Sequence, residues 1–234
     1  AIAAAEEVMG LGYSLHPDYG ELFQIEGQNS SEIIFYLPYH LDVERNLNMV
    51  EMYPRAGKGW SVSVPTQWLV DAYQCTDGLP IDESPLYDQA NPFENRDPRL
   101  QQSLIVPQST FAGYTFETHP DSTKTWNNGA RVNNQEVTNA YATFTGYCWR
   151  KNADESVFDD PWSGSVMPLT LIRYAEVLLN YAEAKIESNE IDASVSDAIN
   201  QVRMRAGMPD IPAGLSQQEL RDALRYERKI ELAG

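Results

Sequence analysis

The alternation of apolar and polar positions is clearest in the last third of this 234-residue chain. After Pro168, apolar side chains fall at Ile172, Ala175, Leu179, Ala182 and Ile186, in steps of three and four, which predicts a helix buried along one face. A turn at Asn189 and Glu190 leads to a second stripe, Val195, Ile199, Val202 and Ala206. Asp192 or Ser194 can cap its start, and Gly207 followed by Pro209 can stop it. Two such helices joined by a few residues form an αα-hairpin. Ser216-Gln217-Gln218-Glu219 is a capping box, so a third helix is predicted from about Gln217 toward Leu232, with Leu220, Leu224 and Ile230 inward.

The first two-thirds lacks that regularity. Ala1 to Met9 is rich in Ala and Glu and stops at Gly10-Leu11-Gly12, the pattern of the last turns of a helix. Glu32 to Tyr39 is β-branched and aromatic and predicts a strand. Leu41 to Val64 has no clean period, and Tyr53, Trp60 and the run Gly57-Lys58-Gly59 suggest a shaped loop. Pro65 suits the first turn of a short helix with Trp68, Leu69 and Ala72 on one face, which makes Trp68 a core residue. Asp77-Gly78, Pro80, Pro85, Asn91-Pro92, Asp97-Pro98 and Pro107 then break any long element. From Ser109 to Ser165 the composition predicts extended segments and loops laid over a helical core.

Composition changes this picture in one respect. There are 34 acidic and 17 basic side chains, a formal net charge of −17, so the field of the whole chain repels phosphate and nucleic-acid binding drops out. The 25 aromatics (7 Phe, 5 Trp, 13 Tyr) contradict an acidic disordered segment. No apolar run approaches the ~18 residues of a membrane-spanning helix. Cys75 and Cys148 show no metal-ligand spacing, and one disulfide between them stays open.

Candidate chemistry is sparse. His16, His40 and His119 stand apart from nucleophiles and read as surface or packing residues, and Gly57-Lys58-Gly59 lacks the rest of a phosphate loop. Adjacent acids such as Asp82-Glu83 and Asp159-Asp160 could suggest a glycosidase, but 34 acids make such pairs commonplace. No calcium loop is present, so no cofactor is expected and a structural calcium ion is left open rather than implied. Tyr53, Trp60, Trp126, Trp149 and Trp162 lie outside the helical stripes among polar residues. Flat aromatics beside amide, carboxylate and guanidinium groups match a sugar ring, which has an apolar C–H face and a hydroxyl rim. An aromatic that anchors its loop to the core gives the same pattern.

Several segments together resemble the SusD/RagB family of outer-membrane lipoproteins. They are Ile172-Arg173-Tyr174-Ala175-Glu176 running on to Ala184, Ala198-Ile199-Asn200-Gln201-Val202-Arg203-Met204-Arg205-Ala206-Gly207, and Leu224-Arg225-Tyr226-Glu227-Arg228-Lys229-Ile230-Glu231-Leu232. Upstream, Pro65 to Tyr73 with Asp77-Gly78, and Asn91-Pro92-Phe93-Glu94-Asn95-Arg96-Asp97-Pro98-Arg99-Leu100, follow the family in order, and Ala4 to Leu22 is similar to the end of its helical region.

The resemblance implies a mainly α fold, with tetratricopeptide-like helix pairs, an irregular loop-rich region and a few short strands. Residues 1–40 would be the end of the tetratricopeptide-like region and the following strand, 41–167 the loop-rich ligand-recognition region, and 168–234 the helical hairpin plus third helix, all within one SusD-like domain. It also implies a surface-exposed lipoprotein of the outer membrane that binds an oligosaccharide, or in some members a peptide, and delivers it to a SusC-like TonB-dependent transporter without catalysis. A glycoside hydrolase and a helical-repeat adaptor are the competing expectations. The lipidated Cys of the family does not precede Ala1 and its Glu-Gly-x-Arg segment does not follow Gly234, so the chain reads as a fragment without its lipid anchor. A recurring binding contribution in the family comes from the loop between the strand and the helix at Pro65. Here that implies Tyr53 and Trp60 as stacking platforms and Arg55 as a donor to hydroxyl or carboxylate; Trp126, outside that loop, is a further candidate contact.

Overall fold

A computed structural model describes all 234 residues. The elements run α1 (Ile2–Met9), α2 (Tyr19–Leu22), β1 (Ile33–Leu37), α3 (Asn48–Met52), α4 (Gln67–Ala72), α5 (Arg99–Ser103), β2 (Leu104–Ile105), β3 (Thr110–Phe111), β4 (Tyr114–Thr115), β5 (Lys124–Asn127), β6 (Ala130–Asn133), α6 (Gln135–Thr138), β7 (Cys148–Trp149), β8 (Leu169–Arg173), α7 (Tyr174–Glu187), α8 (Ala193–Arg205) and α9 (Gln217–Leu232). Helix of all kinds takes 38% of the residues and strand 14%, so irregular backbone outweighs helix.

The scaffold is helical for local reasons that the residues state openly. Ser216 accepts from the Glu219 amide at 3.4 Å while Glu219 Oε2 accepts from the Ser216 amide at 2.7 Å, closing the capping box of α9. Asp192 caps α8 by accepting from the Ser194 amide at 2.9 Å, and its other oxygen meets Lys185 Nζ of α7 at 2.5 Å, which pins the turn between the two helices. Beyond α8 the Met208 amide bonds to the Arg203 carbonyl at 2.9 Å, with Gly207 at φ +75°, a left-handed cap that suits glycine. Leu178, Leu179, Ala182, Ile186, Val195, Ile199, Val202, Leu220 and Leu224 fill the space between α7, α8 and α9, and Ile2, Ala5 and Val8 of α1 pack on them.

Three expectations change. The apolar stripe after Pro168 does not begin a helix: Leu169–Arg173 is β8, antiparallel to β1 with Ile172 opposite Phe35 and Leu169 opposite Leu37. The β-branched Thr170 and Ile172 take the strand because an edge is available there, and α7 starts only at Tyr174, whose amide bonds to the Glu32 carbonyl at 2.8 Å. Pro65 precedes the cap of α4 instead of lying in its first turn, Thr66 being the capping residue. Trp68 is not core: it is 68% exposed, with Lys229 Nζ 4.5 Å above its ring, while Leu69 and Val70 of the same helix are buried. Cys75 and Cys148 are both buried and unbridged.

The loop-rich part has its own aromatic core, in which Phe111 and Tyr114, from the first two strands of a four-stranded antiparallel sheet of order β3-β4-β5-β6, pack with Tyr53, Phe116 and Phe158. Scaffold and loops meet over a buried ion network. Arg99 pairs with Asp97 at 2.8 Å, Glu227 at 2.5 Å and Glu231 at 2.9 Å. Arg173 and Arg205 each reach Glu32 at 3.0 Å and also pair with Glu231, and Arg203 holds Glu227 at 3.1 Å. All these side chains are 0–6% exposed, and four arginines balance four carboxylates. Burial pushes the Glu231 carboxyl up, but Arg173, Arg205 and Arg99 outweigh it and hold the group well below the usual carboxylate range.

Candidate functional site

The loop between β1 and α4 turns sharply because its small residues are pressed against rings. A Cβ on Gly57 would meet the Phe158 ring at 2.5 Å, and one on Gly59 would strike Tyr53. Lys58 between them is left-handed at φ +59°, as is Ser61 at +48°. Gly57-Lys58-Gly59 is therefore a packing turn and not an anion cradle. Lys58 Nζ donates to the Asp159 carbonyl at 2.5 Å, Ser61 Oγ to the Tyr53 carbonyl at 3.1 Å, and the Trp60 amide to the Val50 carbonyl at 2.7 Å. These ties leave the Trp60 indole 47% exposed.

Trp162 meets it from the 3-10 turn Pro161–Ser163, which Arg45 holds through the Ser163 carbonyl at 2.9 Å. The two indoles stand edge to face, centroids 5.3 Å apart and planes at 67°, and Trp162 is 52% exposed. Beside Trp60 lies an open cavity of about 420 Å³ lined by Arg55, Val62 and Tyr141. Arg55 is half-buried. It donates from Nη1 to the Gly59 carbonyl, and its Nε has no partner. A larger hollow, about 520 Å³ between Gln24, Gln101 and Arg150, has no aromatic wall.

Beneath the loop, Glu136 at the start of α6 accepts from the Ala56 amide at 2.9 Å through Oε1, while Oε2 is buried without a partner. Burial drives its carboxyl up to about 7, against the opposing pull of the Ala56 amide and of Arg55.

Of the four residues singled out in the sequence, the structure brings Trp60 and Arg55 together at one cavity. Tyr53 is no stacking platform. It is fully buried against Phe111 (5.6 Å) and Phe158 (5.7 Å), and its hydroxyl donates to the Asp154 carbonyl. Tyr53→Phe is expected to lower stability by about 1–2 kcal/mol in chemical denaturation, leaving Trp60 in place. Trp126 is exposed, but it sits on β5 and does not line this cavity. Sequence reasoning overlooked Tyr141, 74% exposed on the cavity wall, and the partnership of Trp162 with Trp60. Asn139 carried a usable signal, since its Oδ1 accepts from the Tyr141 amide at 2.9 Å in a side-chain turn that sets Tyr141 outward.

The model of the SusD family matches residues 22–234. The chain belongs to the SusD family. It is similar to the SusD-like protein P2 of Formosa agariphila, 31% identical over 192 residues that make up 76% of this chain and 30% of that protein. A SusD-like carbohydrate binding protein from Bacteroides fragilis superposes with TM-score 0.83 at 31% identity, over 99% of this chain and 45% of its own. Surface glycan-binding protein A of Bacteroides thetaiotaomicron, solved in complex with laminarihexaose, shares the fold at 20% identity with TM-score 0.63, over 98% and 46% of the two chains. The chain thus spans less than half the length of each of these proteins.

Proposed function

We propose that this chain is the glycan-recognising part of a surface lipoprotein of the outer membrane, one that binds an oligosaccharide without converting it and passes it to a SusC-like TonB-dependent transporter. The observation that carries the reading is the Trp60–Trp162 pair. Two half-exposed indoles held by backbone ties, beside a cavity with a guanidinium and a phenol on its walls, offer both the apolar face and the polar rim that a pyranose needs. The likeness to a SusD-like carbohydrate binding protein, 31% identical, supports it. In this assignment residues 41–167 recognise the ligand, and the helices α1, α7, α8 and α9 act as the tetratricopeptide-like frame. No helix is long and apolar enough to cross a membrane, and attachment through a lipid anchor belongs to the same proposal.

The test is calorimetric titration of the intact protein against neutral oligosaccharides, laminarihexaose among them, and against peptides of similar size. Trp60→Ala should weaken saccharide binding about tenfold to a hundredfold, equivalent to roughly 1.4–2.8 kcal/mol, with the thermal midpoint nearly unchanged. Binding of peptides alone would assign the cavity to the peptide-binding branch of the family. A variant that melts early yet binds saccharide normally would return Trp60 to a structural role.

A further inference from the structure

The hairpin β5–β6 turns on Asn128-Gly129, both left-handed at φ +48° and +79°, the two-residue turn whose twist matches paired strands. That turn sets the register: Trp126 lies opposite Arg131 and Lys124 opposite Asn133. Alternation then sorts the side chains. Thr125 faces inward and is buried, its Oγ1 donating to the Thr115 carbonyl at 2.7 Å, and Val132 packs on the aromatic core. Lys124, Trp126, Arg131 and Asn133 share the outer face, and all four are exposed.

This patch is unlike the rest of the surface. In a chain with twice as many acids as bases, Lys124 and Arg131 are neighbours on one face, and neither has a carboxylate within 4.0 Å. The Arg131 guanidinium lies 5.3 Å from the Trp126 ring centre, and Lys124 Nζ donates to Asn133 Oδ1 at 2.6 Å. With no carboxylate paired to it, the Arg131 guanidinium keeps its N–H donors available to an anion, and half of the Trp126 indole stays open next to it.

We propose that the outer face of the β5–β6 hairpin is a second saccharide site, selective for sugars that carry an anionic substituent, a carboxylate or a sulfate ester. Trp126 takes the apolar face of the ring, and Arg131 and Lys124 take the anion, with Asn133 accepting from Lys124 and directing its ammonium. The site shares no residue with the Trp60 cavity. It rests on the glycan-binding reading only for the class of ligand.

The intact protein is titrated with hexagalacturonate, with a sulfated carrageenan hexasaccharide and with laminarihexaose, at low and raised salt. Binding of either anionic hexasaccharide is expected, weakening severalfold as NaCl rises from about 50 to about 300 mM. Lys124→Gln with Arg131→Gln should weaken it at least tenfold and leave laminarihexaose binding untouched, while Trp60→Ala should do the reverse. Which hexasaccharide binds decides between carboxylate and sulfate. The proposal is overturned if neither binds, or if the double variant, its fold verified by circular dichroism, binds them as tightly as the parent. It is also overturned if a Trp126→Ala variant binds them unchanged, since charge alone would then explain the attraction. A protein that binds an anionic hexasaccharide but none of the neutral oligosaccharides would sink the Trp60 site and leave the hairpin standing.

Discussion

Arg99→Leu is expected to destabilise the chain by about 3–5 kcal/mol at neutral pH, enough to leave much of it unfolded at 37 °C. Arg99 is 0% exposed and bonds three carboxylates from two directions, Asp97 beside it in sequence and Glu227 and Glu231 on α9. Burial disfavours its charge, but Glu227 and Asp97 more than compensate and hold the guanidinium in its charged form. Leucine fills most of the volume and removes the charge. Asp97 then loses its ion-pair partner, Glu227 keeps only Arg203, and Glu231 keeps Arg173 and Arg205. The penalty is that of uncompensated buried carboxylates, so the urea midpoint of the variant at neutral pH should fall well below the parent's. Arg221→Leu supplies the control: its pair with Glu187 at 2.6 Å lies at the surface, and its midpoint should stay close to the parent's. An Arg99→Leu chain as stable as the Arg221→Leu chain would show that the network organises the fold without stabilising it.

The same residues explain what was legible in the sequence and what was not. The motifs that carry the family resemblance supply all of the ion network except Glu32: Asp97 and Arg99, Arg173, Arg203 and Arg205, Glu227 and Glu231. They announce the fold and are silent about the ligand, because their side chains are turned inward. Helix limits at Ser216, Asp192 and Gly207 were legible because capping is local chemistry between residues two to five apart. The start of α7 was not, since Leu169–Arg173 becomes a strand only through β1, more than 130 residues away in the chain. The aromatics divide in the same way. Tyr53 and Trp60 sit in one loop with similar neighbours in sequence, and only the rings of Phe111 and Phe158 decide that the first is core and the second faces solvent. Trp68 goes the other way, outward from a helix whose buried side Leu69 and Val70 already occupy. The Asn128-Gly129 pair was a hairpin signal available in the sequence, and it places Trp126 more firmly than composition could.

Glu136→Gln is expected to stabilise the chain at pH 8 and to change it little near pH 5. Glu136 is 5% exposed, and the charged and titratable groups that face it are Arg55 from the loop, Tyr114 from β4 and Cys148 from β7. With its carboxyl raised from 4.5 to about 7, the folded chain retains a proton between those values that the unfolded chain has released. Stability from this group therefore declines as pH rises through that window, by about 3 kcal/mol once Glu136 is ionised in both states. Glu231 works with the opposite sign, since its carboxyl is held low and its contribution is lost only in acid, so it does not interfere between pH 5 and 8. Glutamine keeps the acceptor for the Ala56 amide and cannot ionise, so the gap between variant and parent should open across that range. For a chain of this length it should reach several degrees in thermal midpoint at pH 8. Parallel midpoint curves would mean that Glu136 titrates as an ordinary carboxylate. A curve that separates on schedule would also place a proton-dependent group directly beneath Arg55 and the turn that presents Trp60, because the Ala56 amide that Glu136 holds belongs to that turn. Saccharide affinity of the parent, measured over the same interval, should then shift with pH, and that of Glu136→Gln should not.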